Sequence, residues 1–360
     1  MSIVFKIKKG AITLKRTAKR LCMMICMVIA MLLITKTDAF ASTYGDYQYT
    51  VSGKKIIITK YTGNASKVYV PNVIKGKPVT EIAKGAFKWC TGIKEVKIYG
   101  NTKTIGKEAF AYCYNLKKVT MLRGVENIAT NAFAYCAALN TVNMHKGIKT
   151  VSTGAFKGCR ELTGIELPKG TKSIGSNTFA YCSKLKSITI PSTVGSIGSG
   201  AFYDCKSLKS INLPAKLTRI NSSVFGKCSS LKYMKIPEKV EKISDYAFEN
   251  CTSLKSISIP GSVKTVSTCA FWNCRSLKKA VMHNGTVSIK NAAFANCRAL
   301  EEIKIPASVT NIDTYAIGYN YSSSKTGWVY KKSTRITVYG KKSSAAYNYA
   351  KKNNLKFKLW

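Results

Sequence analysis

The sequence predicts a mainly β repeat solenoid in which every coil is 23 residues long and contributes one short parallel strand. Three observations predict it. Phenylalanine recurs at 87, 110, 133, 156, 179, 202, 225, 248, 271 and 294, ten copies at an unbroken interval of 23. Cysteine stands three residues after each of them, from Cys90 to Cys297. Nine and eleven residues after, nearly every position is aliphatic or Met, as at Ile188 and Ile190 or Ile257 and Ile259. A fixed period of roughly 20–50 residues is the mark of a repeat array. One such unit cannot bury its own apolar face. Stacked units can, each adding a strand about 4.8 Å from the last.

The other columns say how a coil is built. Six residues after Phe is Leu nine times and Ile93 once, and five before is always Ile or Val. Ala precedes Phe in eight copies. Columns this regular are expected to be core. A stretch such as Leu254 to Pro260 alternates apolar and polar at its end, which reads as a half-buried strand. Its Pro stops the strand, having no N–H for the ladder. Irregular or short helical turns are expected on the other side of each coil.

The pattern L-x-x-I-x-I-P-x-x-V-x-x-I-x-x-x-A-F-x-x-C is intact from Leu185 to Cys205. It resembles the BspA-like leucine-rich repeats of bacterial surface proteins, over about residues 45 to 317. The resemblance implies a solenoid of leucine-rich-repeat type that contacts host matrix proteins or neighbouring cells without catalysis. Ten full repeats and a partial one are expected over residues 79–317, behind an N-terminal capping segment at 42–78. The stretch 318–333 departs from the pattern and reads as a loop. A strand at 336–340, a helix from Ser344 to Lys352 and a last strand at 355–359 resemble the family's terminal cap. Caps are needed because a bare solenoid end exposes apolar rungs and unpaired edges.

Residues 1–41 read as a secretory signal peptide. Lys6, Lys8, Lys9, Lys15, Arg16, Lys19 and Arg20 precede an apolar run from Leu21 to Ile34, and Ala39-Phe40-Ala41 offers a cleavage site. The run is shorter than the about 20 apolar residues a spanning helix needs, so no stable membrane span is expected after cleavage. A secreted, extracellular location follows, with wall association open. The chain shows no LPxTG signal or hydrophobic tail, so any retention is expected to be electrostatic.

The net charge is +42, and the eight Lys/Arg and one Asp of residues 1–41 account for only seven of it, leaving +35. Such a balance attracts anionic surfaces and makes the attraction sensitive to salt. Seven residues after Phe, seven of ten coils carry lysine: Lys94, Lys117, Lys186, Lys209, Lys232, Lys255 and Lys278. The run from Lys186 to Lys278 is uninterrupted and extends about 19 Å at the strand spacing. These seven are the candidate polyanion-binding column, beside small polar residues such as Ser187, Thr189, Ser210, Asn212, Ser256 and Ser258. A sparser second column, Lys103, Lys149, Lys172 and Lys264, is broken by Glu126 and Glu241. The same lysines also serve solubility. The expected partner is a protein or an acidic polysaccharide or cell-wall polymer. Nucleic acid is not the expected physiological partner, since export removes the opportunity and no aromatic column accompanies the lysines.

No catalytic site, metal site or cofactor is expected. The eleven cysteines after residue 41 are odd in number, and parallel rungs point their side chains the same way, so a ladder of buried free thiols is expected. The two-residue spacings that zinc sites favour are missing. His145 and His283 share a column six coils apart, about 29 Å, and cannot share a ligand. Gly-rich phosphate loops, G-x-S-x-G and H-E-x-x-H are all lacking. The two functional readings are an adhesive binding protein and a structural envelope protein held to an anionic wall by charge.

Overall fold

A computed structural model describes residues 41–324, 327–333 and 335–360, with the backbone alone over 322–324 and 327–330. The predicted signal peptide lies outside the described residues except for Ala41. From Thr43 to Trp360 the chain is one β-solenoid. No helix of the described residues is long and apolar enough to cross a membrane.

The strand read from the sequence, eight to eleven residues after Phe, forms the strand face. Lys67–Val70, Glu95–Ile98, Lys118–Met121 and Thr141–Asn143 pair in parallel, one coil to the next. Gly164–Glu166 pairs with Ser187–Thr189, and a third sheet runs from Ser256–Ile259 to Lys356–Leu359. The alternation places Ile257 and Ile259 inside and Ser256 and Ser258 outside. The structure adds a second, two-residue ladder per coil. Thr104–Ile105, Asn127–Ile128, Thr150–Val151, Ser173–Ile174 and Ser196–Ile197 pair in parallel, and Arg219–Ile220 starts another such sheet. Its buried member is the Ile/Val column five residues before Phe.

The remainder of each coil is turns, with no helix. Residues two before and two after each Phe sit in the left-handed region, for example Glu108 (φ 55°) and Tyr112 (φ 63°). A left-handed residue every fourth position prevents helical propagation. The backbone is satisfied between coils: the Phe110 N–H donates to Ala132 and the Phe133 N–H to Ala155, each at 2.8 Å. All ten Phe side chains are fully buried and stack ring on ring, centroids 4.6 Å apart at Phe87–Phe110 and 5.8 Å at Phe156–Phe179. Such stacking adds to the burial gain, which for one side chain is about 1.5–3 kcal/mol.

An antiparallel hairpin, Tyr47–Ser52 with Lys55–Tyr61, covers the first coil. At the other end Thr337–Gly340 continues the strand face, and helix Ala345–Lys352 packs over the last coil. Its N-cap is Ser344, whose side chain accepts from the Tyr347 N–H. The buried Tyr349 hydroxyl donates to the Ile317 carbonyl at 2.9 Å. Where a loop is expected at 318–333, the chain forms an antiparallel hairpin, Tyr319–Ser324 with Gly327–Lys332. Tyr319 to Tyr321 and Trp328 to Tyr330 are runs of good strand formers around a glycine, a signal outweighed in the sequence by the serines between them.

Candidate functional site: the lysine rail and the aromatic column

Five of the seven column lysines stand one residue before an assigned strand, Lys209 and Lys232 hold the same register where none is assigned, and all seven are exposed. The backbone holds them in line. The Lys117 N–H donates to the Lys94 carbonyl (2.8 Å), that of Lys255 to Lys232 (3.1 Å) and that of Lys278 to Lys255 (2.9 Å). Among the described residues none of the seven takes part in an ion pair, whereas lysines in other columns do: Lys118 with Glu95 at 3.2 Å, Lys279 with Glu302 at 3.2 Å, Lys184 with Glu161 at 2.7 Å. The second column is partly neutralised. Glu126 bridges Lys103 and Lys149, and the hydrogen bond from Lys149 holds its carboxyl below the usual carboxylate range. The rail is therefore a line of cations with no counterpart among the described residues.

Ser187, Thr189, Ser210, Asn212, Ser256 and Ser258 are exposed beside it. Between them the structure places Tyr233, 57% exposed, which the column reading missed because its register neighbours are serines. Tyr233 borders a depression of about 700 Å³ with Asn212, Lys235, Ser258 and His283.

The histidines have separate tasks. His145 Nδ1 accepts from the Gly147 N–H and its Nε2 lies 2.9 Å from the Val125 carbonyl, so the ring is fixed as a structural tie. His283 Nε2 lies 2.9 Å from Ser258 Oγ, a pairing that the register did not reveal because the residues belong to adjacent coils. Nucleophilic catalysis also needs a group orienting the other ring nitrogen. Among the described residues no carboxylate bonds to His283, and no group of His, Cys, Asp and Glu is placed to hold a metal.

Among the described residues the eleven cysteines are free thiols, nine of them buried. Each of the nine donates to the Phe carbonyl of the preceding coil, as Cys113 to Phe87 (3.0 Å) and Cys205 to Phe179 (3.1 Å). The thiol therefore ties two coils as well as filling space, a role that alanine, smaller and without a donor, cannot take. Cys90 and Cys269 are half-buried, and burial pushes Cys90 up to about 11. A native-state thiol assay at pH 8 is expected to reach Cys90 and Cys269 slowly and the nine ladder thiols only after unfolding. Fast reaction of more than two would contradict the burial of the ladder.

A second periodic feature lies two residues after Phe, a column not singled out in the sequence. Trp89, Tyr112, Tyr135 and Tyr181 occupy it, with Gly158 between the last two. Trp89 and Tyr112 stack at 4.2 Å, and Tyr112 and Tyr135 at 5.1 Å, both within 8° of parallel. All sit at positive φ, from 59° to 66°. For bulky residues that conformation costs roughly 1–2 kcal/mol. From coil to coil after Tyr181 the same position is Asp204, Lys227, Asn250, Asn273 and Asn296. Asn tolerates the left-handed region, so the aromatic coils carry strain that the coils with Asn250, Asn273 and Asn296 avoid. The periodic signal was Trp or Tyr in four of the first five copies.

The comparisons with known proteins agree with this architecture. No curated protein matches. A leucine-rich cell surface protein of Faecalibacterium prausnitzii is 28% identical, with 80% of this chain and 96% of that one covered at a TM-score of 0.56. A leucine-rich repeat protein of Bacteroides ovatus shares the fold at 21% identity, covering 89% and 100% at a TM-score of 0.57. The model of the BspA type leucine rich repeat region matches over residues 80–209, 149–278 and 195–324, the same span in which the Phe, Cys and Leu columns repeat. With two thirds of its length carrying that repeat and its coils closed as the repeat requires, the chain belongs to the BspA-type leucine-rich repeat family.

Proposed function

We propose that this chain is a non-enzymatic binding protein of the bacterial surface, and that its lysine rail receives an anionic polymer such as an acidic wall polymer or glycan. The observation that carries the reading is the run Lys186, Lys209, Lys232, Lys255 and Lys278, exposed on consecutive coils and free of ion pairs among the described residues. The coil spacing of about 4.8 Å is shorter than the screening length of about 8 Å at physiological salt, so these charges act together. Relief of their mutual repulsion favours a ligand with repeated negative charge over one with a single group. The F. prausnitzii relative is described as a cell surface protein, which supports a surface location for this one. Adhesion to a protein ligand is the second reading, supported by the exposed Tyr233 among small polar residues.

The test is binding of the purified protein to isolated cell wall and to matrix proteins across a salt series, beside a variant with the five lysines changed to Ser. Wall binding is expected to fall steeply with salt and to drop at least tenfold in the variant. A protein ligand that survives both salt and substitution would remove the rail from the function and favour the adhesive reading.

A further inference from the structure

We propose that the gap at Gly158 in the aromatic column is a binding slot for an acidic pyranose, its ring held between Tyr135 and Tyr181 and its carboxylate met by Lys157, Arg160 and Lys206. On one side the column is closed: the Trp89–Tyr112 and Tyr112–Tyr135 stacks, 4.2 Å and 5.1 Å, admit nothing between their rings. On the other, Tyr181 meets Tyr203 edge to face at 5.6 Å. At Gly158 one ring is omitted. Tyr135 and Tyr181 then stand two coils apart, about 9.6 Å at the strand spacing. A cavity of about 500 Å³ opens there, floored by Gly158, walled by the two tyrosines and edged by the three cations. That volume is in the range of small-ligand sites. The Tyr135 ring leans toward Gly158, where a Cβ would lie 2.6 Å from it, so glycine is the residue that lets the ring form this wall.

The chemistry of the ligand follows from the walls and the charges. The two tyrosine rings suit the C–H faces of a sugar ring, whose hydroxyls and carboxylate then project to the rim beside Ser183 and the cations. The Lys157 Nζ lies 5.7 Å and 5.8 Å from the two ring centres, so a cation already sits between the walls. Asp204 is the one acid at the rim and lies 3.8 Å from Lys206. Among the described residues Lys157 and Arg160 have no ion-pair partner, and a carboxylate on the sugar supplies one. A single slot flanked by closed stacks takes one ring, which suits a chain end and disfavours a run of stacked bases. Lys206 precedes the rail residue Lys209 by three positions, so a longer acidic glycan leaves the slot toward the rail. Only that direction rests on the function proposed above; the slot itself does not.

The experiment is ligand-detected NMR and calorimetry on the purified protein with a glucuronate-terminated oligosaccharide, and with its glucose-terminated counterpart. Three variants accompany it: Gly158→Tyr, Tyr181→Asn and the five-lysine rail variant. Gly158→Tyr takes a backbone conformation that Tyr135 and Tyr181 already adopt, and its Cβ displaces the Tyr135 ring, which closes the slot. Should it misfold, Tyr181→Asn carries the test, because Asn holds the equivalent position at 250, 273 and 296. Saturation transfer to the terminal ring is expected, with affinity at least tenfold weaker for the neutral sugar and for both slot variants, and with an unchanged thermal midpoint in Tyr181→Asn. The rail variant is expected to keep binding the terminal ring. The slot is refuted if the wild type does not bind, if Gly158→Tyr and Tyr181→Asn bind as the wild type does, or if the neutral sugar binds equally. Loss confined to the rail variant refutes the slot while leaving the rail in place.

Discussion

Raising the pH is expected to unfold the solenoid abruptly between about pH 9.5 and 11. Burial is the first cause that pushes Cys182 up to about 12, and it also pushes Cys136, Cys159, Cys205, Cys228, Cys251 and Cys274 upward. In the unfolded chain a thiol titrates near about 8.5. Folding therefore holds on to protons that the unfolded chain gives up. The stability this confers is whole below about pH 8.5 and is lost as the pH climbs toward the folded values. Each thiol contributes a slope of about 1.4 kcal/mol per pH unit, and seven together give on the order of 10 kcal/mol per unit, against a typical total of about 5–15. Lysine deprotonation, near about 10.4, works the other way by reducing self-repulsion, so loss of structure below that pH isolates the thiols. Circular dichroism across a pH series reads the outcome. Replacing three ladder cysteines by Ala is expected to flatten the slope, and an unchanged spectrum at pH 11.5 would show that the ladder does not control alkaline stability.

Phe202→Ala is expected to divide the molecule into two unfolding units. Both strand ladders lapse together at one coil step among the described residues, between Ser187–Ile197 and the next coil. The strand face stops at Ser187–Thr189, and its next assigned strand is Ser256–Ile259, with one bridge from Lys235 to Ser258 between them. The second ladder stops at Ser196–Ile197 and resumes at Arg219–Ile220 as a separate sheet. At this step the Ile197 carbonyl accepts from the Asn221 side-chain amide at 2.7 Å, where one coil earlier Ile174 accepts from the Gly198 backbone at 2.8 Å. What remains lies mostly on the turn side and includes the Phe202–Phe225 stack at 5.7 Å, the N–H groups of Gly200, Phe202 and Asp204 to Ser222, Val224 and Gly226 at 2.8–2.9 Å, and Cys228 Sγ to Phe202 at 3.1 Å.

Removing the Phe202 ring costs about 3–5 kcal/mol, taken from the step at which both strand ladders lapse. In a linear array, stability is a sum of coil terms and neighbour terms, so weakening one neighbour term uncouples the two sides. Trp89 lies on the N-terminal side, and Trp272, Trp328 and Trp360 on the other. In Phe202→Ala, urea unfolding followed in single-tryptophan backgrounds is expected to give two midpoints. Phe248→Ala, whose coil keeps its second ladder on both sides, is expected to lower stability without splitting it. Coincident midpoints in both variants would show that the seam is as strong as any other step.

Most of the architecture is dictated by single columns of the sequence. Phe every 23 residues, with Cys, Leu and alternating aliphatics at fixed offsets, specifies a coil that only stacking can complete, and it specifies which face each residue takes. The rail is legible for the same reason: a position just before a half-buried strand is exposed in every copy, so lysine there is exposed in every copy. The hairpin at 319–332, the Ser258–His283 contact and the depression at Tyr233 were not legible. The last two depend on neighbours one coil away, more than twenty residues off in the chain, whereas the hairpin is local and its strand signal is outweighed by its serines.

The sequence by itself determined the period, the buried columns and the alignment of the lysines, because identical units that bury one another leave no freedom in which residues face inward. The tertiary structure alone decided where neighbouring coils bond well or badly and where an omitted side chain leaves space. Coils at the seam and at Gly158 obey the same 23-residue pattern as the rest. What distinguishes them is the fit of one coil against the next, through backbone ladders and ring stacks that exist only once the coils are in contact.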